Sequence, residues 1–211
     1  MKNQVKIPTQ VYAEMTPNPA TMKFVADRLL VKNGKQIDIT NQADAKLYAP
    51  LADELFNFPF VTGVFISGNY VTVTKDNSLE WDMILQQLRS YVREWLVEHE
   101  WAVLDTPEVC ETPTTNANDG NGDSSNKATP RNFSKSDLDD KIIALLDEYV
   151  RPAVEQDGGA IDFRGFDNGV VFVELKGACS GCPSSTQTLK GGIERLLVAE
   201  LPEIKEVVAI G

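Results

Sequence analysis

The chain has 211 residues, which is enough for one domain or two small ones. Hydrophobic residues make up 42% of the sequence and charged residues 24%, the balance of an ordinary globular protein. The net charge of -11 opposes binding to phosphate backbones and anionic lipid headgroups, and no apolar run approaches the roughly 20 residues of a membrane span. We therefore expect a protein that binds neither nucleic acid nor membranes.

The N-terminal sequence and the cysteine content indicate the compartment. The first residues, MKNQVKIPTQ, have neither the apolar core of a signal peptide nor the Arg- and Ser-rich character of an organelle presequence. The three cysteines are an odd number, and two of them form a CxxC pair, which is not the pattern of a disulfide framework. We expect a cytoplasmic protein whose thiols are available for metal or redox chemistry.

A change in composition divides the chain into two domains. Between 105 and 130, 16 of 26 residues are Pro, Gly, Ser, Thr or Asn, and five acidic residues stand against one basic residue. Such a segment cannot form a core, and its charge favours an extended chain. We predict a disordered acidic linker over 105–130, which contains Cys110. It joins an N-terminal domain (1–104, net charge -2) to a C-terminal domain (131–211, net charge -5).

The N-terminal domain is predicted to be a small α+β unit. The segment Thr16-Pro17-Asn18-Pro19 indicates a turn, and Pro50 is suited to begin a short helix that runs to Phe56. Two β-forming runs, 64–66 and 70–74, flank the turn dipeptide Gly68-Asn69. This arrangement predicts a β-hairpin.

A helix is predicted after this hairpin. Asn77 and Glu80 have the spacing of a capping box. Apolar residues then recur at intervals of three and four, namely Trp81, Leu85, Leu88, Val92 and Trp95. We interpret this stripe as core, and His99 at the helix end as a surface residue. Because His99 is the only histidine in the sequence, HExxH metalloprotease chemistry is excluded and a His-based triad is disfavoured.

The C-terminal domain begins with a predicted helix and a hairpin. Ser136 and Asp139 indicate a helix start, and apolar residues keep helical spacing up to Pro152, which should interrupt the helix. After a turn at Asp157-Gly158-Gly159, strands over 161–166 and 170–176 are joined through Asp167-Asn168-Gly169.

A second helix and a last strand complete this domain. Leucines and isoleucines between Leu189 and Leu201 mark a helix that Pro202 ends, and residues 204–210 read as a strand. The predicted order is α-β-β-α-β. The fold class is therefore α+β, with two small mixed domains joined by a flexible linker.

The second strand and second helix of this domain flank the segment GACSGCPSSTQ. Cys179 and Cys182 are two residues apart, so both sulfurs can converge on one metal ion or cluster. The following helix start, with Pro183 in its first turn, favours the thiolate form through its unpaired N–H groups. The other loop residues, Gly177, Ala178, Ser180 and Gly181, are small and permit close approach of a cluster or of a second protein chain.

Three interpretations of the CxxC pair are open at this point. The thiols could be unliganded, they could exchange with disulfides in the manner of thioredoxin, or they could bind a metal or an iron-sulfur cluster. An all-cysteine site needs four thiolates, whereas the C-terminal domain offers two. Neither Cys110, in the predicted linker, nor His99 is a convincing further ligand. Two chains that each contribute Cys179 and Cys182 would complete the set, either for a cluster or for a structural zinc ion.

The sequence resembles a known family over nearly its whole length outside the predicted linker. The segment VRPAVEQDGGAIDFRGFDNGVVFVELKGACSGCPSSTQTLKGGIERLL closely resembles the C-terminal domain of NifU-like (Nfu-type) iron-sulfur cluster proteins, and the likeness extends over 137–211. MTPNPATMKF and PLADELFNFPFVTGVFISGNYVTVTKD resemble the Nfu domain that lies N-terminal to it in many members.

The resemblance implies a carrier or scaffold protein, not an enzyme. Members assemble or carry a [4Fe-4S] cluster and pass it to apo-proteins, with the CxxC cysteines of two subunits as ligands, so the implied ligands are Cys179 and Cys182. Without the resemblance, a [2Fe-2S] cluster is equally compatible with the sequence. The scaffold domain and the ferredoxin-like domain of full NifU are missing, which favours the later transfer step over primary assembly. The implied partners are recipient apo-proteins, upstream assembly factors and, in the loaded state, a second copy of the chain. The alternative function is a thioredoxin-like thiol-disulfide oxidoreductase.

Overall fold

The computed structural model describes residues 6–32, 34–104, 136–180 and 183–210, and the side chains of all of these except 183–186. The predicted linker with Cys110 lies outside the described residues. Gly181 and Cys182 also lie outside them.

A five-stranded antiparallel sheet forms the first part of the described chain. Its strand order is β1-β2-β5-β4-β3. The strands are β1 (Val11–Met15), β2 (Thr21–Ala26), β3 (Gln36–Ile39), β4 (Val61–Ser67) and β5 (Tyr70–Lys75). The predicted hairpin is confirmed as β4 and β5, and Gly68 adopts the left-handed conformation (φ 51°) that its turn requires.

Three helices cover one face of this sheet. They are α1 (Gln42–Tyr48), α2 (Pro50–Leu55) and α3 (Trp81–Glu98). Pro50 begins α2 as predicted, and the side chain of Asn41 accepts the Asp44 N–H at the start of α1. Alternate residues of the strands pack with the helices into one core, including Phe24, Val64, Ile66, Val71 and Val73.

The predicted capping box of α3 is wrong. The cap position is Glu80, without a side-chain hydrogen bond, and it is the Asp76 carboxylate that accepts the N–H of Ser78 at 2.9 Å. The buried stripe of α3 is Ile84, Leu88, Val92 and Leu96. Trp81, Leu85 and Trp95 flank this stripe and are only partly buried, because their rings and side chains lie at the edge of the core.

The second part of the described chain has the predicted order α-β-β-α-β. Its elements are α4 (Asp139–Leu145), a π-helical turn (Leu146–Val150), α5 (Arg151–Gln156), β6 (Gly159–Asp167), β7 (Val170–Gly177), α6 (Pro183–Glu200) and β8 (Glu206–Ile210). Strand β7 is central, antiparallel to β6 and parallel to β8. The turn between β6 and β7 places Asn168 and Gly169 at φ 51° and 90°, as the sequence predicts for a tight hairpin.

The first helix is interrupted near Pro152 as predicted, but the interruption lies in the turn before the proline and the chain stays helical through it. The chain widens into the π-helical turn, in which the Arg151 N–H bonds to the carbonyl of Leu146, and Pro152 then lies in the first turn of α5. A proline is tolerated there because the N–H it lacks is least needed. The π turn also shifts the buried positions to Leu146 and Val150, which leaves Tyr149 56% exposed.

In the described part of the chain, no helix combines the length and the apolar character that crossing a lipid bilayer would require.

Candidate metal centre at the cysteine loop

The loop that carries Cys179 leaves strand β7 through a tight turn. Gly177 has a left-handed conformation (φ 63°), which permits the change of direction. Both the N–H and the hydroxyl of Ser180 donate to the Gly177 carbonyl, at 3.1 and 2.9 Å. Helix α6 then begins at Pro183. Cys179 is therefore held by a short, internally bonded turn at the end of a central strand.

Cys179 is buried in the core of the second domain. It is 6% exposed, and its sulfur lies against the backbone of Gly159, where an added Cβ would be 2.8 Å from Sγ. Burial, together with the negative charge of Asp157, raises the pKa of the Cys179 thiol to about 11. The expectation that this cysteine is held as a thiolate is thus wrong for the metal-free chain.

The structure locates one of the two predicted ligands. Cys182 lies outside the described residues, and so does Cys110. Within the described ranges, no three or more His, Cys, Asp or Glu side chains come together in an arrangement that could hold a metal ion. His99 is half-buried at the end of α3, where its ring stacks on that of Trp95 at 3.9 Å, so it belongs to the helical side of the first domain.

An open cleft of about 460 Å³ lies on that helical side. Helices α2 and α3 line it, with four carboxylates and with the rings of Tyr91, Trp95 and His99; the carboxylates are those of Asp53, Glu54, Glu94 and Glu98. The cysteine loop contacts the opposite face of the sheet, so the cleft is separate from it.

That opposite face, which the helices leave uncovered, hydrogen-bonds to the cysteine loop itself. We call it the second face. It consists of the outward-facing residues of β2 to β5 and the β1–β2 turn. Asn18 Nδ2 donates to the carbonyl of Ala178 at 3.1 Å, and the Asp38 carboxylate accepts the Gly177 N–H at 3.2 Å. Ala178 is 2% exposed. The two residues that precede Cys179 are therefore bonded to the other domain.

The second face also bonds to the turn before β6. Thr72 Oγ1 donates to the Gly158 carbonyl at 2.7 Å, and the Tyr70 hydroxyl donates to the Gly159 carbonyl at 3.0 Å. Lys23 Nζ donates to the carbonyl of Gln156 at 3.1 Å. Gly159 packs against the sulfur of Cys179. The Tyr70 hydroxyl therefore reaches the candidate ligand through one intervening residue, Gly159.

Small residues of the C-terminal domain make this contact possible. A Cβ at Gly177 would lie 2.8 Å from the ring of Phe65, and one at Gly158 would lie 2.9 Å from Thr72 Oγ1. Ala160 joins Val25, Phe65 and Tyr70 in a separate apolar cluster. Gly158, Ala160 and Gly177 thus admit the chain's own N-terminal domain, whereas the sequence pointed to a cluster or a second chain.

A signal for this contact is present in the strands of the first domain. In β2 all six residues are buried, and in β5 five of six are. A strand of a two-layer α+β domain is normally half-exposed, with polar residues on its outer side. Val25, Phe65 and Tyr70 break that alternation and indicate that both faces are covered.

Profiles of two protein families match the chain on the two sides of the predicted linker. The NifU-like domain matches residues 142–208, and the domain described as "Scaffold protein Nfu/NifU N terminal" matches residues 11–99. The fold and the cysteine loop thus define a two-domain protein of the NifU-like class.

Relatives match the chain across both domains. The chain is 31% identical over 202 residues to the human mitochondrial "NFU1 iron-sulfur cluster scaffold homolog", covering 93% of this chain and 70% of the relative. It is 33% identical over 199 residues to the mitochondrial NifU-like protein 4 of Arabidopsis thaliana, covering 93% and 64%. The chain belongs to the Nfu family of iron-sulfur cluster scaffold proteins. Membership implies that it binds an iron-sulfur cluster.

Two solved structures resemble parts of the chain at low similarity. The solution structure of a NifU-like protein from Saccharomyces cerevisiae has 23% identity and a TM-score of 0.42, covering 50% of this chain and 92% of that one. A crystal structure of a Staphylococcus aureus protein has 18% identity and a TM-score of 0.34, covering 38% and 95%.

The expected cytoplasmic location is wrong. The human, Arabidopsis and Drosophila relatives are mitochondrial proteins. The expectation relied on the first residues of the sequence, but this chain spans only 60 to 70% of the length of these relatives. The start of the present sequence is therefore no guide to targeting.

Proposed function

We propose that this chain carries a [4Fe-4S] cluster, bound by Cys179 and Cys182 from each of two copies, and transfers it to apo-proteins. The observation that carries the proposal is the cysteine loop itself: a CxxC pair between a central strand and a helix, in a chain 31% identical to an iron-sulfur cluster scaffold protein. The proposed domain bounds, 1–104 and 131–211 around a linker, follow from the composition of the sequence.

The number of available ligands supports the two-copy site. Iron-sulfur clusters of this type are held by four thiolates. Each chain offers Cys179 and Cys182, and the described residues hold no group of other side chains suited to a metal. Two loops facing each other supply four sulfurs. A [2Fe-2S] cluster with the same four ligands is the second option for the cargo.

The raised pKa of Cys179 supports a carrier over a thiol-disulfide oxidoreductase. The attacking group in disulfide exchange is a thiolate, and the reactive cysteines of such enzymes have lowered pKa values. Burial raises the pKa of Cys179 to about 11 instead. Iron displaces the thiol proton when it binds, so a high pKa does not prevent coordination. Together with the similarity to iron-sulfur cluster scaffold proteins, this favours a binding protein with no turnover chemistry of its own.

The proposed partners follow from this role. Upstream assembly factors would load the cluster, and recipient apo-proteins would accept it, in mitochondria as for the named relatives. The acidic domains make nucleic acid and anionic membranes poor partners.

The experiment is reconstitution under anaerobic conditions, followed by measurement of iron and acid-labile sulfide per chain. We expect Cys179→Ser and Cys182→Ser each to lose the cluster, while the matched control Cys110→Ser keeps it. Transfer is then measured as activation of an apo-protein that needs a [4Fe-4S] cluster. Iron and sulfide at wild-type levels in Cys179→Ser would refute the ligand assignment. Zinc in place of iron, in protein purified without oxygen, would refute the carrier role.

A further inference from the structure

The second face of the N-terminal sheet covers the part of the C-terminal domain that the proposed function needs to be accessible. Gly177 and Ala178 are buried against Phe65, Asp38 and Asn18, and Cys179 beside them is 6% exposed. A cluster held between two chains requires the sulfur of each Cys179 to face the other copy. The Cys179 sulfur packs in the core of its own domain, so the loop must open before the sulfur can meet a second copy. The docked second face holds Gly177 and Ala178 in place and thereby keeps the loop closed.

The contact has the character of a reversible interface. Side chains form the hydrogen bonds seen across it between described residues: Asn18, Lys23, Tyr70 and Thr72 donate, and Asp38 accepts. Its apolar part is one small cluster of four residues. Interfaces of this polar kind between domains permit relative motion, and both domains are acidic, which mildly opposes their association.

We propose that the second face is a removable cap. In the metal-free chain it docks on the cysteine loop and on the Gly158-Gly159 turn of its own C-terminal domain. It leaves when the loop receives a cluster and meets a second copy. This inference rests on the proposed function for its last step only, since docking in the metal-free chain is independent of any cluster.

The first test measures access to Cys179 in the metal-free full chain. In a Cys110→Ser/Cys182→Ser background, Cys179 is the only cysteine left, and its rate of alkylation by a maleimide reports its exposure. Thr72→Lys places a charge where Thr72 is fully buried against Gly158, so it opposes docking. The matched control is Thr62→Lys on the neighbouring strand β4, where the side chain is exposed.

We expect Thr72→Lys to raise the alkylation rate by about tenfold, because an unpaired buried charge shifts the population towards the undocked form. Thr62→Lys should leave the rate unchanged. Equal rates in all three chains would overturn the proposal. Circular dichroism establishes folding, and if Thr72→Lys does not fold, Asn18→Ala and Tyr70→Phe remove single interdomain hydrogen bonds without adding a charge. A sedimenting dimer of the metal-free chain would overturn docking within one chain.

The second test follows Lys23 through cluster loading. Lys23 Nζ is bonded to the carbonyl of Gln156 in the other domain, whereas Lys46 on α1 is exposed. Brief acetylation, quantified by mass spectrometry, should modify Lys23 slowly in the metal-free chain and several times faster after loading, with Lys46 unchanged. Protection of Lys23 that persists in the loaded protein would overturn release of the cap. A chain that binds no cluster yet shows the Thr72→Lys effect would refute the proposed function and leave the docked cap standing.

Discussion

The sulfur of Cys179 and the backbone of Gly159 are in contact, with so little space that a Cβ at position 159 would lie 2.8 Å from Sγ and 2.6 Å from the carbonyl oxygen of Lys176. Gly159 also accepts the hydroxyl hydrogen bond of Tyr70 from the other domain. Gly159 is therefore in contact with Cys179, with the end of strand β7 and with the N-terminal domain.

Gly159→Ala should disturb the cysteine loop first. Contacts below 3.0 Å force the neighbouring backbone or sulfur to move, and overpacking of this kind costs about 1–3 kcal/mol of stability. We expect a lower free energy of unfolding in denaturant titrations and less iron per chain after reconstitution. Wild-type values for both quantities would contradict the packing described for Cys179.

Gly192→Ala is the matched change in the following helix. Gly192 lies in the middle of α6, and no described atom other than its helical neighbours would be within 4 Å of the added Cβ. Alanine is favoured over glycine in a helix interior by about 1 kcal/mol. We therefore expect a higher free energy of unfolding for the metal-free chain, with the same result at Gly191. A loss of stability would show that these glycines pack against something in the metal-free state.

Residues 1–104 should fold without the rest of the chain and bind no iron. They contain the whole helix-covered core of the sheet and no cysteine. The second face, with Phe65 and Tyr70, becomes exposed in this fragment, so its thermal midpoint should lie below that of the same domain in the full chain. Circular dichroism and iron analysis of the fragment measure both. An unfolded fragment would mean that the second face needs the C-terminal domain.

Local sequence patterns predicted the elements that local physics determines. The hairpin around Gly68-Asn69, the start of α2 at Pro50 and the tight turn at Asn168-Gly169 depend on backbone preferences of a few adjacent residues. The sequence also predicts the site at the cysteine loop, because a CxxC pair is typical of metal binding, cluster binding or thiol exchange.

Contacts between distant residues were not predictable in this way. The bonds from Thr72 to Gly158 and from Tyr70 to Gly159 join positions 86 and 89 residues apart, and nothing in either segment alone indicates the other. The high pKa of Cys179 was missed for the same reason, because it depends on burial in the folded domain and not on the adjacent helix start. Cap residues were also misassigned at α3, where Asp76 and not Asn77 bonds to Ser78.

The oligomeric state should follow the cluster, with a monomer in the metal-free chain and a dimer in the loaded one. A cluster of this type needs four ligands, and each loop supplies two cysteines. Two chains are therefore required, unless an external thiol such as glutathione provides the missing ligands. The small side chains of the loop contribute little apolar burial to a dimer, and the acidic domains repel each other. The cluster must then supply most of the free energy of association, so loading should depend on protein concentration by mass action. Sedimentation of matched metal-free and reconstituted samples, with no added thiol, measures this directly. A cluster-loaded monomer, or a metal-free dimer of equal stability, would show that the cluster does not hold the chains together.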